Sequence, residues 1–146
     1  MPMQIPNDLC RAAVAVAVAA ALGSAACAEE AAPDLALGEA TFMSSCAGCH
    51  GEAADGDGPM TEILTVPVPD LTRLSERNGG VFPWLRVIHL IDGTTGLRAH
   101  GGPMPVFGAI FEGDTAVADA PDGTPVIASR RILAVADYLA SVQAAD

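Results

Sequence analysis

The chain contains no lysine. Its only cations are Arg11, Arg73, Arg77, Arg86, Arg98, Arg130 and Arg131, set against 18 carboxylates for a formal charge of −11. A surface of that sign repels phosphate backbones and anionic headgroups, which argues against nucleic-acid binding and electrostatic attachment to membranes. A docking partner is expected to be basic, or to meet the chain through apolar surface. Aromatic residues are also scarce, at 4% of the chain with a single tryptophan and a single tyrosine. The hydrophobic fraction is 51%, but much of it is alanine, so protein side chains alone make a thin core. A large apolar group would thicken it.

Long hydrophobic runs are missing too. The one apolar stretch of note, Ala12 to Leu22, is too short and too alanine-rich to span a bilayer, so no transmembrane anchor is expected. Arg11 precedes it and small residues ending in Ala26-Cys27-Ala28 follow, which is the pattern of an export signal. The competing reading is a buried helix or strand in which Val14, Val16 and Val18 alternate with alanine. Residues 1–28 are read as a signal peptide cleaved after Ala28, 29–33 as a linker and 34–146 as one domain, with the periplasm as destination. Cys27, after Ser24-Ala25-Ala26, allows a second route in which it is lipidated, although the leucine usual three residues earlier is absent. Cleavage after Ala28 removes Cys10 and Cys27 and leaves Cys46 and Cys49, with no disulfide framework unless those two pair.

Leu35, Gly38 and Phe42 recur at helical spacing and run straight into Cys46. Residues 48–59 read as a loop, and Pro67 and Pro69 interrupt the chain again. Asp70 is placed to cap a short helix through about Arg77, stopped by Asn78-Gly79-Gly80. Pro83 to about Asp92 forms another helix ending at Gly93, and residues 94–105 make a Gly/Pro-rich loop. Thr124-Pro125 reads as the cap and first position of the last helix, where Ile132, Val135, Leu139 and Val142 form one apolar stripe. The pattern gives an all-α chain of four to five short helices, with no strand and no internal repeat.

Cys46-Ala47-Gly48-Cys49-His50 has the spacing of a c-type haem attachment site. Two thiols on one helical turn reach the two vinyl groups along one porphyrin edge and form thioethers, and the next imidazole then swings under the iron. Neutral histidine is a good iron ligand, and tethering raises its effective concentration. A thioredoxin-like pair would need a βαβ setting, and a zinc site would need two more ligands from His89 and His100. For the sixth iron ligand Met104 is the candidate, because Gly101-Gly102-Pro103-Met104-Pro105 is a constrained loop that can hold a thioether. Its alternative is an ordinary core methionine. His89 and His100 offer bis-histidine ligation instead, whereas Met43 and Met60 lie too near the motif in sequence to reach the opposite face.

With these residues the chain resembles the class I c-type cytochromes over about residues 34–143. The matching features are Gly38 and Phe42 before the motif, Gly58-Pro59, Met104-Pro105-Val106-Phe107-Gly108, and Tyr138. The resemblance implies a helical fold around one covalent haem c, with the first and last helices crossing at Gly38, Phe42 and Tyr138. It also implies that the carbonyl of Gly58 or Pro59 accepts a hydrogen bond from His50 Nδ1. Two features depart from the family: the missing lysine ring and an acidic segment, Glu112 to Asp122, read as a solvated loop. Asp55-Gly56-Asp57-Gly58 reads as a solvated turn in preference to a calcium loop. Trp84, Arg86 and Arg98 are candidates for holding haem propionates.

The functional expectation is a monomeric periplasmic electron carrier, not an enzyme, whose one haem is attached through Cys46 and Cys49 and whose iron is ligated by His50 and Met104, exchanging electrons with redox proteins. The alternatives are a haem subunit of a dehydrogenase or reductase complex, and a haem enzyme or sensor with an open distal position.

Overall fold

The computed structural model describes residues 33–94 and 104–144. The expected signal peptide, Cys27, Arg98, His100 and the Gly101-Gly102-Pro103 step lie outside these residues. Helix α1, Leu35–Ser45, starts where Asp34 accepts a hydrogen bond from the Leu37 N–H at 3.1 Å, satisfying one of the unpaired donors of the first turn. A single turn, α2, covers Ala47–His50. Helix α3, Trp84–Asp92, follows Pro83 and stops at Gly93, whose φ of 86° is a left-handed cap. Helix α4, Arg130–Ser141, closes the fold, and short 3₁₀ turns cover Pro59–Ile63 and Glu76–Asn78.

Helix α4 packs against both α1 and α3. The fully buried side chains come from all three: Phe42 from α1, Ile88 from α3, and Ile132 and Val135 from α4. Gly38 allows the α1–α4 crossing, because a Cβ there would run into the Ala134 carbonyl and lie 2.8 Å from Tyr138 Cβ. Just beyond it, the rings of Phe42 and Tyr138 meet at 5.4 Å and 44°. The crossing implied by the family resemblance is therefore present, at the residues named for it.

Two expectations are corrected. The segment read as a solvated loop and helix cap is a β-hairpin, with β1, Thr115–Asp119, antiparallel to β2, Pro125–Ser129, in the register Val117 opposite Ile127. The described chain is thus mostly helical with one two-stranded sheet, not all-α. Pro121-Asp122-Gly123 makes the turn: Gly123 sits at φ 81°, Asp122 Oδ1 accepts from the Thr124 N–H at 3.0 Å, and Ala120 N–H bonds the Thr124 carbonyl at 2.9 Å. Helix α4 consequently starts five residues later than Pro125, at Arg130, whose N–H bonds the Asp114 carbonyl at 2.7 Å. The second correction is the helix expected from Asp70 to Arg77. Asp70 spends its carboxylate on Thr72, at 2.8 Å to N–H and 2.6 Å to the hydroxyl, so the chain there runs in turns until Glu76–Asn78.

Candidate functional site

Cys46 joins α1 to α2. Its N–H still bonds the Phe42 carbonyl at 2.8 Å, while its own carbonyl accepts from Cys49 N–H at 3.1 Å and His50 N–H at 2.9 Å. One carbonyl thus fixes the turn on which both thiols and the imidazole sit. The chain then reverses at Gly51, φ 79°, and comes back over the turn through Gly56 N–H to the His50 carbonyl, 2.8 Å, and Gly58 N–H to the Cys49 carbonyl, 3.2 Å. Gly58 is needed at that return because a Cβ would lie 2.5 Å from the Cys49 carbonyl carbon and oxygen. Leu71 N–H to the Ala54 carbonyl, 2.7 Å, ties this loop to the Pro69–Leu71 strand of chain.

Cys46 and Cys49 are both free thiols and both half-buried. Burial pushes the Cys46 thiol up to about 11, with the neighbouring Cys49 adding to the effect. A dithiol redox catalyst needs the reverse, a thiolate stabilised near neutral pH. Burial also lowers the pKa of His50, keeping the imidazole neutral, while the Pro69 backbone carbonyl pulls it back in part. Nδ1 of that ring is buried without a hydrogen-bond partner. Of the two carbonyls the family resemblance implied as its acceptor, Gly58 and Pro59, that of Gly58 accepts from Thr61, through N–H at 2.9 Å and the hydroxyl at 2.7 Å. Pro69 is the backbone group near enough to the ring to affect its protonation, and the sequence reading did not name it.

Met104 comes from a separate stretch and is half-buried, packed against the same core cluster that Cys46 packs against. His89 lies in the last turn of α3, away from the motif in sequence, and among the described residues no three His, Cys, Asp or Glu side chains gather as a metal site. Met60 returns to the motif, its Sδ 3.8 Å from Cys49 Sγ. Between Pro69 and α3 lies a cavity of about 330 Å³ lined by Leu74, Val87 and Leu90, with Arg77, Asn78 and Arg86 supplying its polar groups. Trp84 is not free to serve a carboxylate ligand there, because its Nε1–H donates to Asp137 Oδ1 at 2.7 Å. Arg77, which the sequence reading passed over, joins Arg86 at the cavity.

The model of the cytochrome c family matches residues 35–143, which takes in every described element from α1 to α4. The chain belongs to the cytochrome c family. Neither the curated proteins nor the solved structures gave a match. Cytochromes c of this class carry electrons through haem, and the residues present fit that group in three respects. Two unpaired thiols stand one turn apart, a neutral imidazole follows with a buried nitrogen still lacking a partner, and a largely apolar cavity lies between Pro69 and α3.

Proposed function

We propose that this cytochrome c is an exported, monohaem electron carrier in which Cys46 and Cys49 hold the haem covalently and His50 and Met104 ligate its iron. When bound, haem supplies an iron that exchanges one electron between ferric and ferrous states. The observation that carries the reading is the His50 ring: neutral, buried at Nδ1 with no partner, and anchored through its backbone to the carbonyl of Cys46. A buried ring nitrogen without a partner costs roughly 1–3 kcal/mol, which a ligating histidine recovers when its free N–H turns to a backbone carbonyl. Pro69 is the carbonyl beside it.

The remaining residues divide the work. Cys46, pinned by the end of α1, keeps the attachment turn rigid against the helix crossing. Leu74, Val87 and Leu90 present apolar surface, and Arg77 and Arg86 are placed to offset the charge of haem carboxylates at the cavity. Met104, packed on the core with a soft thioether, would serve as the second iron ligand, and an iron held by both residues would favour electron exchange over substrate binding. Carriage in the periplasm follows from the signal-like N-terminus and suits covalent attachment, since a tethered cofactor is not lost to dilution.

The experiment is expression in a host that matures c-type cytochromes, followed by denaturing electrophoresis with haem staining and by oxidised and reduced spectra. Haem should stay with the polypeptide after denaturation and show the sharp bands of low-spin iron on reduction. Cys46→Ala/Cys49→Ala should lose the stain. Stain retained in the double variant, or no haem in the parent, defeats the reading.

A further inference from the structure

From Pro69 to Ser75 the chain passes beside the cavity in turns, with no helix or strand to satisfy its backbone. The stretch nevertheless carries Pro69, near the His50 ring, and Leu74, which lines the cavity. Backbone polar groups outside regular ladders need partners from elsewhere, and three here find them just past α4. The Gln143 side chain spans the stretch: Oε1 accepts from the Ser75 N–H at 2.9 Å, and Nε2 donates to the Leu71 carbonyl at 2.8 Å. The same Nε2 donates to the Leu139 carbonyl at 2.7 Å, which pins the amide to its own helix. The Ala144 N–H completes the set by donating to the Thr72 carbonyl at 2.8 Å. Leu71 is thus held from both sides, because its N–H donates at 2.7 Å to the Ala54 carbonyl, in the loop that follows His50.

We propose that Gln143 is a positioning residue of the haem site: it fixes the 69–75 stretch against α4 and thereby sets Pro69 beside His50 and Leu74 at the cavity. This rests on the haem reading above and extends it to a residue at the far end of the chain. The partners single out glutamine. Two carbonyls face Nε2 and one N–H faces Oε1, an arrangement that uses both amide hydrogens and fixes which way round the group lies. Methionine has a similar reach and keeps the packing, but it leaves the Leu71 carbonyl and the Ser75 N–H without partners. Glutamate keeps an acceptor for Ser75 and sets its other oxygen against two carbonyls. A side chain that only filled space would tolerate either change. The bonds to Ser75 and Leu71 span 68 and 72 residues of sequence, so losing them frees the stretch to open locally while the α1–α4 crossing stays closed.

The test compares the haem-loaded parent with Gln143→Met, Gln143→Glu and Ala40→Gly, the last a loss of stability at an exposed position of α1 away from the site. Hydrogen exchange by NMR follows the Leu71 and Ser75 amides and the His50 ring N–H, and potentiometry follows the iron. Both Gln143 variants should speed exchange of these three protons about ten-fold, with Gln143→Glu the faster of the two. The ferrous-to-ferric ratio at the parent's midpoint should rise about two-fold or more, because a ligating histidine whose N–H loses its carbonyl is a weaker donor to ferric iron. Ala40→Gly should speed only the exchange that needs global unfolding and leave that ratio at the parent's value. Covalent haem is measured first: a parent without haem defeats the haem reading, while the Leu71 and Ser75 amides of the haem-free chain still report on the clamp. Parent-like exchange at these protons in Gln143→Met, or a redox ratio that moves no further than in Ala40→Gly, overturns the proposal.

Discussion

Gly38→Ala tests the crossing on which the attachment turn rests, because its sign depends on the geometry. In an unobstructed helix, replacing glycine by alanine stabilises by about 0.8–1.0 kcal/mol, through the backbone entropy removed from the unfolded chain. At Gly38 the added methyl meets the Ala134 carbonyl and comes within 2.8 Å of its carbon and of Tyr138 Cβ. These are backbone and Cβ atoms of α4, so no side-chain rotation relieves the clash. The helices must separate, and the Phe42–Tyr138 contact at 5.4 Å opens with them. Overpacking of a closed core costs about 1–3 kcal/mol, and the fixed obstacle puts this site at the upper end. The net expectation is about 1–2 kcal/mol of destabilisation, a fall in Tm of roughly 4–8 °C for each kcal/mol in a domain of this size. Ala40→Gly, exposed on the same helix, should lose about 0.8–1.0 kcal/mol. Urea titration of the haem-loaded protein, with the slope checked for two-state behaviour, measures both. If Gly38→Ala is as stable as the parent or more so, the crossing is not as close as described and the reasoning fails.

Three further outcomes are expected. In the haem-free chain Cys46 should resist alkylation at about pH 8 until unfolded, because burial raises its pKa from 9.0 to about 11; its share of stability is whole below pH 9.0 and lost as pH rises through about 11, and rapid labelling of the folded chain would contradict this. Burial raises the Asp137 pKa despite the hydrogen bond from Trp84, so its charge is less favourable in the fold than in the unfolded chain, and Asp137→Asn should be neutral or stabilising at pH 7, with the gain shrinking as pH falls into the carboxylate range. Trp84→Phe, which leaves that carboxylate without its donor, should instead destabilise by about 1 kcal/mol or more in urea titration. Met104→Ala should lower the redox potential, remove the weak far-red band of a thioether bound to ferric iron and admit cyanide or carbon monoxide; an unchanged spectrum would assign the ligand elsewhere.

How far the sequence could be read depended on whether a signal was local. The Pro83 and Gly93 boundaries of α3 and the Gly38/Phe42/Tyr138 crossing each rest on residue chemistry within a turn or a helix face, and each appears where expected. The acceptor near His50 was assigned to the nearer candidate, Gly58 or Pro59. In the structure Nδ1 has no partner: Thr61 caps the Gly58 carbonyl, and the 51–58 loop is tied to residues 69–71, which puts Pro69 near the ring, a tertiary fact no spacing encodes. The hairpin is a different kind of miss. Part of its signal was present: Pro121-Asp122-Gly123 is a turn sequence, but the flanking Thr115–Asp119 and Pro125–Ser129 alternate in burial and not in hydrophobicity, since each holds three apolar residues in a row. Alanine at alternate positions muted the hydrophobic alternation, and the acidic count of the segment argued for solvent. Pro125, sound as a helix start, is equally sound as the first residue of a strand.

Burial along the chain also explains how so few aromatics suffice. Phe42, Ile88, Ile132 and Val135 are sealed within the α1, α3 and α4 packing, and they hold the crossing that carries Cys46. Leu71, Leu74, Phe82, Leu85 and Met104 pack against that core yet remain only half-buried. Large apolar residues kept partly in water on one core contribute less than their full transfer energy, roughly 25 cal/mol for each Å² left uncovered. Under the haem reading, Leu74 and Leu90, half-buried at the cavity, would hold the porphyrin and gain cover from it. Stability then divides in two: the crossing sustains the attachment turn before the cofactor arrives, and the cofactor completes the apolar surface afterwards. Loss of haem should therefore loosen the Leu71–Leu85 stretch and Met104 more than the α1–α4 crossing, a pattern that amide exchange of the haem-free and haem-loaded chains resolves residue by residue. Equal protection losses in α1 and in residues 71–85 would show that the core is not divided in this way.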